Sequence, residues 1–260
     1  MNLVERDRIS LDIASASGVV ALGEGRFLVV DDDKGIYLQS GDDASKVKCA
    51  KKHDELKDLE GICRTPDGKG VLVVSEERGE VYRLKIKDDG EDFDLGKPEK
   101  IGRLPKLSKT GSNKGWEGIE VVPGKFFDDG KPRIVAVHEG TPKRIGVFSY
   151  PDLDDAVLLA LPKNVERSLK DLSDITVDPK TGHLFVLSDE SESIVELALT
   201  TKKKSAPGAL IESLALETVS RTDVDTKKHE KPEGLAFGPD GRLYVAMDGR
   251  SALVSFDVER

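Results

Sequence analysis

The chain is poor in the residue types that mark most small catalytic and metal-binding folds. Its 260 residues include two cysteines, two methionines, one tryptophan and four histidines, and aromatic residues make up 5%. Cys49 and Cys63 form no C-x-x-C pair, and two thiols are too few for a disulfide framework. Cys63 sits on an apolar alternation and reads as a core residue. His53, His138, His183 and His229 show no H-x-x-H or H-E-x-x-H spacing, which argues against zinc. Walker, dinucleotide-binding and G-x-S-x-G patterns are missing. No run approaches the roughly 20 apolar residues of a membrane span. MNLVERDRISLDI at the start lacks the apolar stretch of a signal peptide. As given, the chain reads as cytoplasmic; a leader removed beforehand would place it in the cell envelope. Positive charge is in deficit as well, with 40 Lys and Arg against 49 Asp and Glu and a net charge of −9. That sign is wrong for a nucleic-acid partner.

What the chain does have is a repeat. SASGVVALGEGRFLVVDDD (15–33), DLEGICRTPDGKGVLVVSEE (58–77), GWEGIEVVPGKFFDDGKPRIVAVHEG (115–140), DLSDITVDPKTGHLFVLSDES (171–191) and KPEGLAFGPDGRLYVAMDG (231–249) share one plan. A small-or-acidic pair precedes an apolar strand: Ser17-Gly18, Glu60-Gly61, Glu117-Gly118, Ser173-Asp174 and Glu233-Gly234. A Gly/Pro/Asp turn leads to a second apolar strand that ends in an acid. A third alternating strand follows: GIYLQ, EVYRLKI, RIGVFSY, SIVELAL and ALVSFDV. The third unit carries an insertion, GKFFDDGKPR, in its first hairpin. Steps of roughly 43 to 60 residues suit one four-stranded antiparallel sheet each, the blade of a propeller. After the fifth unit only one further strand fits before Arg260, so that blade lacks its outer strand, which NLVERDRISLDI can supply. The expectation is an all-β, five-bladed propeller over residues 1–260 as a single domain, closed by the N-terminal strand. PKNVERSLKDL (162–172) is the one place for a turn or two of helix.

In a hairpin, the start of the first strand and the end of the second are neighbours. Glu60, Glu117, Asp174 and Glu233 are therefore expected to ring the channel mouth, with Asp31, Glu76, Glu139, Asp189 and Asp248 in a wider second ring. Two such charges ~4 Å apart cost about 4 kcal/mol at an effective dielectric near 20. Three remedies are open. Some acids hold a proton. Lys57, Lys114 and Lys170, each a few residues upstream, fold back on Glu60, Glu117 and Asp174. Or a cation binds, and an all-oxygen donor set from separate strands favours Ca²⁺. Gly61, Gly118 and Gly234 permit close backbone approach near the axis.

DLEGI, DLSDITVDPKTGHLFVLSDES and the KPEGLAF/PDGRLYVAMD pair resemble the SdiA-regulated proteins, a bacterial group distantly similar to NHL-repeat propellers. The resemblance implies a five-bladed propeller with a Ca²⁺ site and no established reaction. Calcium-dependent phytases, paraoxonase and gluconolactonase are more distant relatives by architecture.

Two functions follow. One is a non-catalytic Ca²⁺-binding propeller whose rim takes a small-molecule or protein ligand. The alternative is a calcium-dependent hydrolase of phosphoesters or lactones, with His138 of VAVHEG as general base beside a metal-polarised substrate. Arg78, Arg144 and Arg250 follow the second-strand acids and suit an anionic ligand bridged to the ion or pairing with those acids. Trp116, beside Glu117, either stacks on a ligand or packs between blades.

Overall fold

Alternating strands and Gly-bearing turns produce five separate antiparallel sheets, each built from consecutive segments. The structure is a computed structural model that describes all residues except 33, 42, 47, 50–55, 57, 91, 108–113, 202–213, 228–229 and 250. The first blade comprises Ala16–Gly23, Arg26–Asp31, Gly35–Ser40 and Asp43–Lys46. The second begins with Leu59–Arg64, Gly70–Ser75 and Glu80–Asp88, the third with Trp116–Val122, Arg133–His138 and Arg144–Ser149. The fourth begins with Asp174–Val177, Leu184–Ser188 and Ser193–Thr201. Val157–Ala160 and Leu214–Asp223 close the third and fourth blades on the outside. Innermost strands meet in sequence, and that of the fifth blade, Lys231–Phe237, returns to the first, so the ring closes.

Closure is completed by the N-terminal strand. Asn2–Ser10 pairs antiparallel with Ala252–Glu259, from Asn2 opposite Glu259 to Ser10 opposite Ala252. Ion pairs reinforce it: Arg6–Asp257 at 2.6 Å, and Arg8 with the buried Glu230 at 2.8 Å. The second blade departs from the four-strand plan. Its outer strand is split into Phe93–Leu95 and Glu99–Arg103, and Lys48–Cys49 adds in parallel outside the first piece. Pro98 lies in the break, where a residue without an N–H cannot continue the ladder.

The second strand of every blade is buried on both faces, and this explains why these strands read as unbroken apolar runs. Five hydrophobic clusters occupy the five seams. Val20 and Ile62 share the first–second seam, Cys63 and Ile119 the next, and Val147 and Ile175 the third–fourth. Phe185 with Leu235, and Ala236 with Val19, fill the last two. The hairpin turns follow their sequence chemistry. Asp67, Asp178 and Asp240 each accept the backbone N–H two residues on, at 3.0, 2.8 and 3.2 Å. The short helix Lys163–Ser168 forms where expected, and Lys143 Nζ caps it on the Leu169 carbonyl at 2.5 Å. No helix among the described residues is long and apolar enough to cross a membrane.

Candidate functional site

The repeated pair at the head of the inner strand forms a β-bulge or ladder irregularity in four blades, and in the fourth Ser173 holds the same place ahead of a regular ladder. Ala16 faces Asp31 and Gly18 faces Val30, which leaves Ser17 as the extra residue. Glu60 is extra in the same way between Leu59–Ser75 and Gly61–Val74, and Glu233 between Pro232–Met247 and Gly234–Ala246. In the third blade the irregularity spans Glu117 and Gly118. A bulge frees one residue from the ladder and re-aims its side chain. The innermost ring therefore holds Ser17, Glu60, Glu117, Ser173 and Glu233. The glycine beside each bulge lies against the next blade. A Cβ on Gly18 would overlap the Glu60 carbonyl, and one on Gly61 the Glu117 carbonyl.

Asp174 occupies the glycine position of the fourth blade, since it faces Leu187 as Gly61 faces Val74. Its carboxylate spans the seam to the fifth blade. Oδ1 accepts the Ile175 N–H at 2.7 Å and Oδ2 the Leu235 N–H at 2.6 Å. Burial still pushes this carboxyl well up. The ring residue of the blade is Ser173, not Asp174.

Register also corrects the second ring. Asp31 is fully buried, opposite Ala16, in the column of Ser75 and His138. The first-blade counterpart of Glu76 and Glu139 is Asp32. The backbone N–H groups of Asp32, Glu76 and Glu139 bond to the carbonyls of Ser15, Asp58 and Gly115 at 3.4, 2.9 and 3.1 Å. Asp189 and Asp248 complete this ring, following Ser188 and Met247.

The acids interact strongly. Burial, and then Glu76, push Glu60 up to about 8, although the Ser17 hydroxyl donates to it. Glu117 is raised well above the usual carboxylate range by burial, then by Glu60, Glu76 and Glu139. Glu233 reaches about 8 through burial and Asp189. Asp189 reaches about 7 through burial and its hydrogen bond with Asp171. Burial, and then Glu139, raise the Glu76 carboxyl as well. Carboxylate oxygens of Glu76, Glu117 and Glu139 come within 4.8 Å of one another, as do those of Glu139, Asp171 and Glu190.

Lys114 reaches Glu139 of the second ring, at 2.8 Å. The Lys170 backbone N–H donates to Ser191 Oγ. Lys57, Arg250, His53 and His229 lie outside the described residues. Arg78 stands 3.9 Å from Glu80, and Arg144 donates to the Lys143 carbonyl.

His138 faces away from the rim. It is 1% exposed, meets Trp116 edge-on and hydrogen-bonds the backbone of Gly140 and Pro142, while burial lowers its pKa. Trp116 is buried and donates to the Pro105 carbonyl, so it packs between blades. His183 pairs with the buried Glu196 at 2.8 Å. Glu120 escaped the sequence reading. It lies beside the third–fourth seam, hydrogen-bonds Thr176 Oγ1 at 3.0 Å, and is pushed by burial up to about 7. An acid on an otherwise apolar inner strand was the available signal.

Among the described residues the donors at the rim are all oxygen, carried by short strand ends of separate blades. Neither Cys63, buried in its seam, nor His138 adds sulfur or nitrogen. This donor set fits a hard cation.

A model of the SdiA-regulated family matches residues 27–249. Among solved structures, a glucose dehydrogenase superposes with a TM-score of 0.56 over 100% of both chains at 13% identity. A protein of unknown function from Bacteroides thetaiotaomicron also gives 0.56, at 14% identity, covering 96% of this chain and 72% of that one. The holo form of a pyranose dehydrogenase PQQ domain from Coprinopsis cinerea gives 0.51 at 10% identity, over 98% of this chain and 97% of that one. At such identities the likeness is one of fold.

Proposed function

The chain belongs to the SdiA-regulated family of propellers, and from there we propose that its acidic rim binds a divalent cation, Ca²⁺ by its chemistry, and offers that ion to a small-molecule or protein ligand at the channel mouth. One observation carries the reading. Glu76, Glu117 and Glu139 bring carboxylate oxygens from two blades within 4.8 Å of one another. Glu60 adds to the same field, and among the described residues Lys114 is the one ammonium ion-paired there. A cation relieves the repulsion that otherwise forces these groups to hold protons. Ca²⁺ accepts six to eight oxygens in irregular geometry, so three carboxylates leave positions for water and a ligand oxygen. Glu233, Asp189, Asp32 and Asp248 extend the negative field around the mouth. Asp174 stands apart, because both its oxygens are taken by backbone amides. A general base at the rim is not part of the proposal, because His138 is buried behind it.

The test is a calorimetric titration of chelator-treated protein with CaCl₂, paired with thermal melts. Saturable binding and a rise in melting temperature are expected, and Glu117→Gln should weaken binding about tenfold or more. No heat and no rise for the folded wild-type protein would overturn the reading.

A further inference from the structure

The cation proposed for the rim has a rival within the chain. Lys114 Nζ lies 2.8 Å from Glu139 Oε1. Glu139 belongs to both groups of converging acids, Glu76–Glu117–Glu139 and Glu139–Asp171–Glu190. The ammonium feels Glu139 first, then Glu190 and Asp171. It therefore stands where the two groups join. Backbone register puts it there: residue 114 directly precedes Gly115, whose carbonyl accepts the Glu139 N–H at 3.1 Å. The Lys114 side chain is 48% exposed, so it reaches in from the open side of the rim and is not locked within it.

One ammonium cannot neutralise five carboxylates. It does hold the carboxylate that a divalent ion on Glu76 and Glu117 would also use. Resting on the rim reading above, we infer that Lys114 is a tethered counter-ion that competes with the divalent cation for Glu139 and so sets the affinity of the rim. An ion bound by the three glutamates and an ammonium on the same carboxylate are two positive charges a few ångströms apart. Either one displaces the other or both stay at reduced affinity. Neutralising residue 114 removes the rival. A ligand that draws Lys114 away, through a carboxylate or phosphate of its own, has the same effect and couples ligand binding to ion binding.

The measurement is a CaCl₂ titration of the full chain, stripped with chelator, for wild type, Lys114→Met, Lys114→Gln and Lys114→Arg. Melting curves establish that each is folded. Both neutral variants should bind Ca²⁺ about tenfold or more tightly than wild type. Lys114→Arg keeps the charge and should stay near wild type. If wild type binds and the neutral variants bind equally or more weakly, Lys114 is a strap for the loop and the inference is overturned while the rim reading stands. If no variant binds, both fall together.

Discussion

Asp174 Oδ2 accepts the Leu235 N–H at 2.6 Å across the seam between the fourth and fifth blades. The same carboxylate accepts the Ile175 N–H through Oδ1. Oδ1 also fills the space where a Cβ on Gly118 would stand. One side chain thereby links three consecutive blades at the axis.

Asp174→Asn keeps the shape and loses one acceptor, leaving an amide N–H against an NH₂ group. A loss of about 1–3 kcal/mol in urea unfolding is expected. Gly118→Ala should cost a similar amount through overlap with the carboxylate. Combined with Asp174→Gly, its cost should shrink, because the group it strikes is gone. Additive effects in that double-mutant cycle would contradict the contact.

Two carboxyls should show opposite pH signatures. Glu80 accepts Lys100, Tyr82 and Arg103, and the Lys100 bond leads in holding it down to about 2, against 4.5 for the free group. Its stabilisation is present above pH 4.5 and drains away as pH falls toward 2. Burial raises Glu120 to about 7. Here the folded state binds more protons than the unfolded one between 4.5 and 7, so stability falls as pH rises through that window. Glu120→Gln should therefore raise the melting temperature at pH 8 more than at pH 5. Glu80→Gln should lower it at pH 7 and have little effect near pH 2. Melts across pH 2 to 9 separate the two, and parallel profiles for both variants would refute the assignments.

Removing Met1–Ser10 should open the last blade. The deletion exposes the edge of Ala252–Glu259 and strands the buried Glu230 without Arg8. A melting temperature lower by about 10 °C or more, with association on size exclusion, is expected. A monomer melting like the full chain would argue against the closure.

The blades, their number and their closure were legible because those signals are local. Turn residues, period-2 alternation and a self-similar stretch such as DLEGI recur along the chain whatever happens in space. Errors arose where phase or distance in space decides. In LVVDDD three acids follow one another, and only the pairing of Asp31 with Ala16 shows that Asp32 belongs to the ring. Ser173-Asp174 was visible as a variant of Glu-Gly, but the role of Asp174 depends on Leu235, 61 residues away. Proximity in sequence made the pairing of Lys114 with Glu117 one of the open remedies for the rim. The hairpin brings Glu139 to Lys114, and that contact is set by strand register.

A fivefold repeat, taken alone, offers a ligand on its axis five equivalent orientations. The residues at the heads of the inner strands remove that degeneracy. Going around the mouth they run Ser17, Glu60, Glu117, Ser173 and Glu233, and no rotation by one blade restores the order. Two glutamates stand on adjacent blades and the third stands alone between two serines. Anything that docks on the axis thus meets a marked azimuth, and a partner can be seated in one rotational setting by a scaffold whose backbone is nearly indifferent to rotation.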